Sequence, residues 1–191
     1  MGVESKEQIP KRKPTRHKEI DYSADGAYFI TVCTQDRRPI LSRIVGGEEA
    51  RSHGHAPVGE GSPLPQLSQC GKIVDKWITA LPTQYPEISV DSYVIMPNHI
   101  HLLLVLTKED GRGDPSPTVS AVVGWLKYQI TKEIHATQRK SGKKVFQRSF
   151  YDHVIRNYDD YYETKKYIAE NPARWFYDEL FAEEYDQNPV R

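Results

Sequence analysis

Two histidines one residue apart, His99 and His101, stand in the run from Ser89 to Leu106, Ser-Val-Asp-Ser-Tyr-Val-Ile-Met-Pro-Asn-His-Ile-His-Leu-Leu-Leu-Val-Leu. The run reads as two strands joined at Pro97-Asn98. Successive side chains on a strand point to opposite faces, so both imidazoles project from one face, close enough to share one metal ion or one phosphate. Ile100, Leu102 and Leu104 take the other face. Leu103 and Val105 continue the histidine face as apolar residues, which marks an interior strand covered on both sides, with the pair at its entry end. Alone, His-x-His also describes a packed or hydrogen-bonded pair. His53-Gly54-His55 repeats the spacing in a Gly/Pro stretch with no strand to hold the rings, and is read as loop composition.

The elements that must position the pair follow from periodicity. Ala27 to Thr34, rich in β-branched and aromatic residues, reads as a first strand. Ile73, Val74, Trp77, Ile78 and Leu81 recur at helical spacing until Pro82 and Pro86. After the central strand pair, Ser116-Pro117 is a cap followed by a first helical position, and Val119, Val122, Val123, Leu126, Ile130 and Ile134 line one helical face. Phe150 to Ile155 reads as a fourth strand. Asn157, with Asp160 three residues on, caps a helix from about Tyr158 to Glu170. Asn171-Pro172 closes that helix and Pro172 opens a last one containing Trp175, Phe176, Leu180 and Phe181. Strand, helix, strand, strand, helix, strand is the split βαβ order of an α+β, ferredoxin-like fold. It predicts an antiparallel four-stranded sheet, helices packed on one face, and the first and third strands at its centre.

The chain has 191 residues, 38% of them hydrophobic, enough for one domain with a sizeable core over residues 22–181. Residues 1–21 form a basic arm, read as a solvated tail or a phosphate-contacting arm, and 182–191 a C-terminal tail. The Gly/Pro-rich stretch 46–66 reads as a flexible insertion. Lys+Arg and Asp+Glu both total 26, so only local clusters can point to a polyanion. One such cluster is Arg139, Lys140, Lys143, Lys144 and Arg148, beside aromatic residues and with Lys127 off the apolar helical stripe. It reads as a solvated turn or as a nucleic-acid contact. Cys33 and Cys70 are far apart with no Cys-x-x-Cys, which fits a reducing, cytoplasmic compartment. No apolar run approaches a membrane span, and the polar N-terminus does not read as a signal peptide.

Met96-Pro97-Asn98-His99-Ile100-His101-Leu102-Leu103-Leu104, Trp125-Leu126-Lys127 to Thr131, Phe146-Gln147-Arg148-Ser149-Phe150-Tyr151-Asp152-His153 and Tyr167-Ile168-Ala169-Glu170-Asn171-Pro172 occur in that order. Together they resemble the single-tyrosine HUH transposases, and among these the REP-associated tyrosine transposases, over about 27–175. The insertion 46–66 departs from the compact family pattern, and Phe146 stands where many members have tryptophan. The resemblance implies that His99 and His101 bind a divalent metal, Mg2+ or Mn2+, that Tyr167 is the nucleophile and that Asn171 takes the third-ligand position. It also implies single-stranded DNA with hairpins, the repetitive palindromic elements, as partner, and a monomer or homodimer. Tyr167 and Asn171 are four apart, neighbours on one helix face.

Two neutral imidazoles and an amide oxygen leave a metal's charge uncancelled, suited to polarising a phosphate. Attack by a phenol, whose pKa is about 10, would need help with its proton. It would give a 5′-phosphotyrosine and a free 3′-OH, and the stored bond would let strands rejoin without ATP. No Gly-x-x-x-x-Gly-Lys loop occurs. Two other readings are a domesticated protein that holds hairpin DNA without cutting, and a metal-dependent phosphoesterase using water with the same histidines.

Overall fold

The structure is a computed structural model that describes residues 25–45, 63–107, 117–138 and 142–181. The basic arm 1–21, the C-terminal tail 182–191, most of the insertion 46–66 with His53 and His55, and Ser116, Arg139 and Lys140 lie outside the described residues.

The elements are β1 Gly26–Cys33, a 3-10 turn Gln35–Arg37, β2 Ser42–Val45, β3 Leu64–Leu67, α1 Gln69–Thr79, α2 Leu81–Gln84, β4 Ile88–Ile95, β5 His99–Leu106, α3 Val119–Gln138, β6 Tyr151–Val154, α4 Tyr158–Glu170 and a 3-10 helix Asn171–Tyr177. The main sheet runs β4-β5-β1-β6 with antiparallel neighbours, so the first and third of its strands lie at the centre, as the split βαβ order predicts. Its two crossover helices, α1 and α3, pack on one face. There Ile73, Val74 and Ile78 of α1 and the six-residue stripe of α3 enclose Ile30, Ile100, Leu102 and Leu104. Burying such aliphatic side chains stabilises the fold by about 1.5–3 kcal/mol each.

The other face is the histidine face. Against it lies α4, whose Ile168 joins Trp175, Leu103, Val94 and Met96 in a second, smaller core. Helices thus cover both faces, where the split βαβ order predicts them on one; the reason is that β5 has apolar residues on each side and must be buried on both. Asn157 caps α4 as read, its Oδ1 accepting the Asp160 amide at 2.9 Å. Two further readings are corrected. Leu64, Pro65 and Gln66, assigned to the insertion, belong to β3, which pairs with β2 in a separate two-stranded ribbon. Proline is tolerated there because an edge strand can leave one N–H unused. The last helix is a single 3-10 segment ending at Tyr177, with Leu180 and Phe181 beyond it.

The turn Met96–Asn98 is tied down on three sides: Met96 N donates to His99 O at 2.9 Å, Leu41 N to Pro97 O at 3.0 Å and Thr34 N to Asn98 O at 2.9 Å. Leu41 in turn presses on the first turn of α1, where a side chain on Gly71 would meet the Leu41 carbonyl oxygen at 2.1 Å. Gly71→Ala should therefore cost roughly 1–3 kcal/mol, as overpacking against backbone does. Gly124→Ala, with nothing within 4 Å, should instead stabilise by roughly 0.5–1 kcal/mol. Urea unfolding of both variants checks the pair of signs, and equal shifts would contradict the packing.

Candidate metal and nucleophile site

β5 places His99 and His101 on the α4 face, 0% and 2% exposed. Their Nε2 atoms face one another at 3.0 Å. The outer nitrogens are both engaged, His99 Nδ1 with Asn98 Oδ1 at 2.8 Å and His101 Nδ1 with Thr31 Oγ1 at 2.8 Å, Thr31 being paired with His101 across β1 and β5.

The proton positions follow by assignment along this chain. The Asn98 amide is oriented by its Nδ2, which donates to Leu180 O at 2.7 Å, leaving Oδ1 to accept from His99 Nδ1–H. His99 Nε2 then carries a lone pair and accepts from His101 Nε2–H. His101 Nδ1, bare, accepts from the Thr31 hydroxyl. Both rings are neutral. Burial pushes each imidazole down to about 3; Arg37 reinforces this at His99 against the Asn171 amide, and at His101 the neighbouring His99 reinforces it against the Asp178 carboxylate.

Asn171 completes one wall. It continues the helical backbone of α4 at φ −55°, ψ −42°, so Pro172 does not spoil the four-residue spacing from Tyr167. It is 1% exposed, and its Oδ1 is buried with no hydrogen-bond partner. Its Nδ2 donates to Asp178 Oδ2 at 3.3 Å. Asp178, which sequence reasoning missed, brings a carboxylate to the pair: ligand atoms of His99, His101 and Asp178 all lie within 4.8 Å of one another. No motif surrounds Asp178 in the sequence. It arrives on the turn after the 3-10 helix, where Arg37 Nη1 donates to Glu179 O at 3.2 Å. Asp36 and Arg37 hold left-handed backbone angles, φ 57° and 52°, strain that aims Arg37 at this turn.

These donors suit a divalent metal. At a metal–nitrogen bond of about 2.1 Å, two ligating nitrogens lie about 3.0 Å apart when their bonds meet at a right angle. The observed Nε2 separation matches, the outer nitrogens have the hydrogen-bond partners that orient ligating imidazoles, and the orphaned amide oxygen is a hard donor. The cluster could hold a divalent cation.

Tyr167 stands beside the pair, its ring 5.2 Å from that of His101 and edge-on to Phe29 at 5.8 Å. It is 39% exposed and lines a cleft of about 1310 Å³ with His101, Asn171, Asp178, Tyr151 and Tyr177. Burial, and next the Asp178 charge, push its phenol up. The other tyrosines of α4 differ. Tyr161 Oη donates to Asp91 Oδ1 at 2.6 Å and is pushed up to about 12 chiefly by that bond, while Tyr158 and Tyr162 are exposed.

The basic candidates divide. Lys143, Lys144 and Arg148 are exposed but do not line the cleft. Lys127, half-buried, spends its ammonium on the backbone carbonyls of Gln147 and Arg148, the latter at 3.0 Å, so it pins the cleft's rim and is not a free cation. Phe146 is a core residue, not a stacking surface.

No family model matches the chain. In sequence it is 25% identical over 188 residues to a protein of Haemophilus influenzae described as uncharacterized, covering 92% of this chain and 96% of that one. It is also 25% identical over 169 residues, 84% of this chain and 77% of the relative, to a second Haemophilus influenzae protein, described as "Putative REP-associated tyrosine transposase". Among solved structures, a REP-associated tyrosine transposase bound to a REP hairpin superposes with a TM-score of 0.52 at 22% identity, over 83% of this chain and 74% of that one, a likeness of fold. With the motifs in order, and a sequence relative so described that is matched along most of its length, this chain is similar to the REP-associated tyrosine transposases in sequence and in fold.

Proposed function

We propose that the protein is a metal-dependent single-stranded DNA endonuclease and strand transferase, a transposase that cuts and rejoins hairpin-bearing DNA through a 5′-phosphotyrosine on Tyr167. The observation that carries the reading is the meeting of two neutral imidazoles, Nε2 to Nε2 at 3.0 Å, with a half-exposed tyrosine ring beside them at the mouth of a cleft. The similarity to REP-associated tyrosine transposases, and the hairpin bound by the neighbour of known structure, support hairpin DNA as the substrate.

In this reading His99 Nε2, His101 Nε2 and Asn171 Oδ1 hold Mg2+ or Mn2+, which when bound acts as a Lewis acid on the scissile phosphate. To serve as a ligand, His101 must carry its proton on Nδ1 and donate it to Thr31 Oγ1, so the Thr31 hydroxyl changes from donor to acceptor. Tyr167 Oη attacks phosphorus; the new P–O bond forms as the bond to the 3′ oxygen breaks, and that oxygen leaves as a 3′-OH. The phenol proton must pass to water or to a phosphate oxygen during attack, since burial and Asp178 keep the phenol protonated at neutral pH. A 3′-OH attacking the phosphotyrosine reverses the step, and the conserved phosphodiester bond makes a nucleotide cofactor unnecessary. Exposed Lys143, Lys144 and Arg148 contact the DNA backbone beyond the cleft.

Tyr167→Phe removes the attacking oxygen and keeps the ring against His101 and Phe29. It should abolish the covalent adduct with labelled hairpin DNA while leaving Mn2+ and hairpin affinity within about twofold. A trapped peptide carrying Tyr158, Tyr161 or Tyr162, or an adduct surviving in the variant, would refute the assignment. Persisting DNA cleavage without an adduct would point to water as nucleophile, and binding without any cleavage to a domesticated binder.

Because both imidazoles stay neutral in the folded chain down to about pH 3 but titrate near 6.5 when unfolded, the unfolded state takes up more protons between those values. Stability should therefore fall as pH drops through about 6.5 and level off near 3, whereas Mn2+ affinity of the folded site should hold between about pH 7.5 and 5.5. Thermal melts and calorimetric titrations across that range check both signs.

Lys143→Ala/Lys144→Ala should weaken hairpin binding and reduce the slope of log affinity against log salt by about 1–2. Unchanged binding at every salt concentration would make the cluster a solvated turn.

A further inference from the structure

We propose that Asp178 is a fourth protein ligand to the divalent cation and the one that carries a negative charge. The proposal rests on the metal-binding part of the reading above. Without Asp178 the donor set is neutral, two imidazoles and an amide. With it the set becomes two nitrogens, one amide oxygen and one carboxylate oxygen, a mixture that suits Mn2+ and other divalent cations that accept oxygen donors.

Three observations support it. First, an Asp178 carboxylate oxygen and a nitrogen of each histidine lie mutually within 4.8 Å, close enough to meet on one ion with side-chain adjustment alone. Second, the carboxylate is held at that place. Oδ1 accepts from Leu180 N at 2.7 Å and Oδ2 from Asn171 Nδ2 at 3.3 Å, while the neighbouring carbonyls of Glu179 and Leu180 accept from Arg37 and Asn98. The bond to Asn171 Nδ2 also decides the orientation of that amide, leaving Oδ1 as the buried oxygen with no partner. Third, among the described residues no lysine or arginine forms an ion pair with Asp178, although Glu170, Asp91 and Glu133 nearby or elsewhere each have one. A half-buried carboxylate beside two neutral rings and an orphaned carbonyl is a local excess of negative potential, and a divalent cation is the partner that satisfies all four groups at once.

The alternative is that Asp178 only orients Asn171. Asp178→Asn keeps the shape and an acceptor for Leu180 N but loses both the charge and the acceptor for Asn171 Nδ2, so charge and position are separated by repeating the substitution in the Asn171→Ala background. The experiment titrates Mn2+ into the full chain, followed by calorimetry and by the paramagnetic resonance of free Mn2+, for the parent, Asp178→Asn, Asn171→Ala, the Asp178→Asn/Asn171→Ala double variant and His99→Ala. The expected result is about tenfold or greater weakening in Asp178→Asn, with the same loss repeated in the Asn171→Ala background and an unchanged metal-free melting temperature. Parent-like affinity in Asp178→Asn would overturn the proposal. So would a loss that vanishes once Asn171 is gone, which would make Asp178 a positioning residue. Should the parent itself bind no Mn2+, or bind it equally in His99→Ala, the metal-binding reading of the whole site fails, an outcome distinct from failure of Asp178 alone.

Discussion

Two uncharged imidazoles meet nitrogen to nitrogen inside the protein, and most of what surrounds them exists to keep them uncharged and in place. Either ring, if protonated there, would be a charge removed from water, a cost that Asp178 offsets only in part at His101, which is why both titrate far below the usual histidine range. Neutrality requires that each outer nitrogen find a fixed partner. Those partners come from opposite directions, Thr31 from the adjacent strand and Asn98 from the turn before the pair. The turn is immobilised in its own right by backbone bonds to Thr34 and Leu41, so ring orientation is inherited from the sheet and not left to side-chain rotamers.

The sheet's two faces divide the work. On one, α1 and α3 supply the larger core and with it most of the stability. On the other, the smaller core reaches the histidines themselves, with the Phe29 ring stacked on His101 at 5.1 Å and the Trp175 ring 5.9 Å from that of His99. α4 is held on this second face by a polar anchor. A register irregularity between Val90 and Ser92 in β4 interrupts the ladder at Asp91, whose carboxylate takes the Tyr161 hydroxyl and pairs with Lys165 at 3.1 Å. A β-bulge re-aims a side chain out of the regular alternation, and here it sets the rotation of α4. With Tyr161, Lys165 and Ile168 turned to the sheet, Tyr167 and Asn171 turn to the cleft. The same helix thus distinguishes one tyrosine bound to a carboxylate from another left half-exposed against a histidine.

Much of this was legible in the residues themselves. The α3 stripe from Val119 to Ile134, the common face of His99 and His101, the Asn157 cap and the central position of the first and third strands all follow from period and local chemistry, which are short-range properties. What the residues hid was of three kinds. Asp178 and Arg37 reach the site through tertiary placement on irregular backbone, where no period exists to reveal a facing direction. Lys127 and Phe146 have side chains whose types suit nucleic acid equally well, and only the fold shows that one bonds to carbonyls and the other fills the core. Strand β3 was masked by the proline and glycine around it, a composition that speaks for a loop unless a partner strand happens to accept it.

The parts of the site lie far apart along the chain, with β1 near its beginning and the turn holding Asp178 and Leu180 after the last helix. Asn98, which orients the first histidine, is itself oriented by the carbonyl of Leu180. During synthesis the sheet and its histidines can assemble from the first 154 residues, since β6 ends at Val154, yet the amide that aligns them waits for residues some two dozen positions further on. A nascent chain would thus have a formed sheet before it had a finished cation site, and the tyrosine of α4 would emerge in between. Completion of the centre coincides with the arrival of the turn that closes over it, so the carboxylate of Asp178 and the carbonyl of Leu180 are the last parts to join the site.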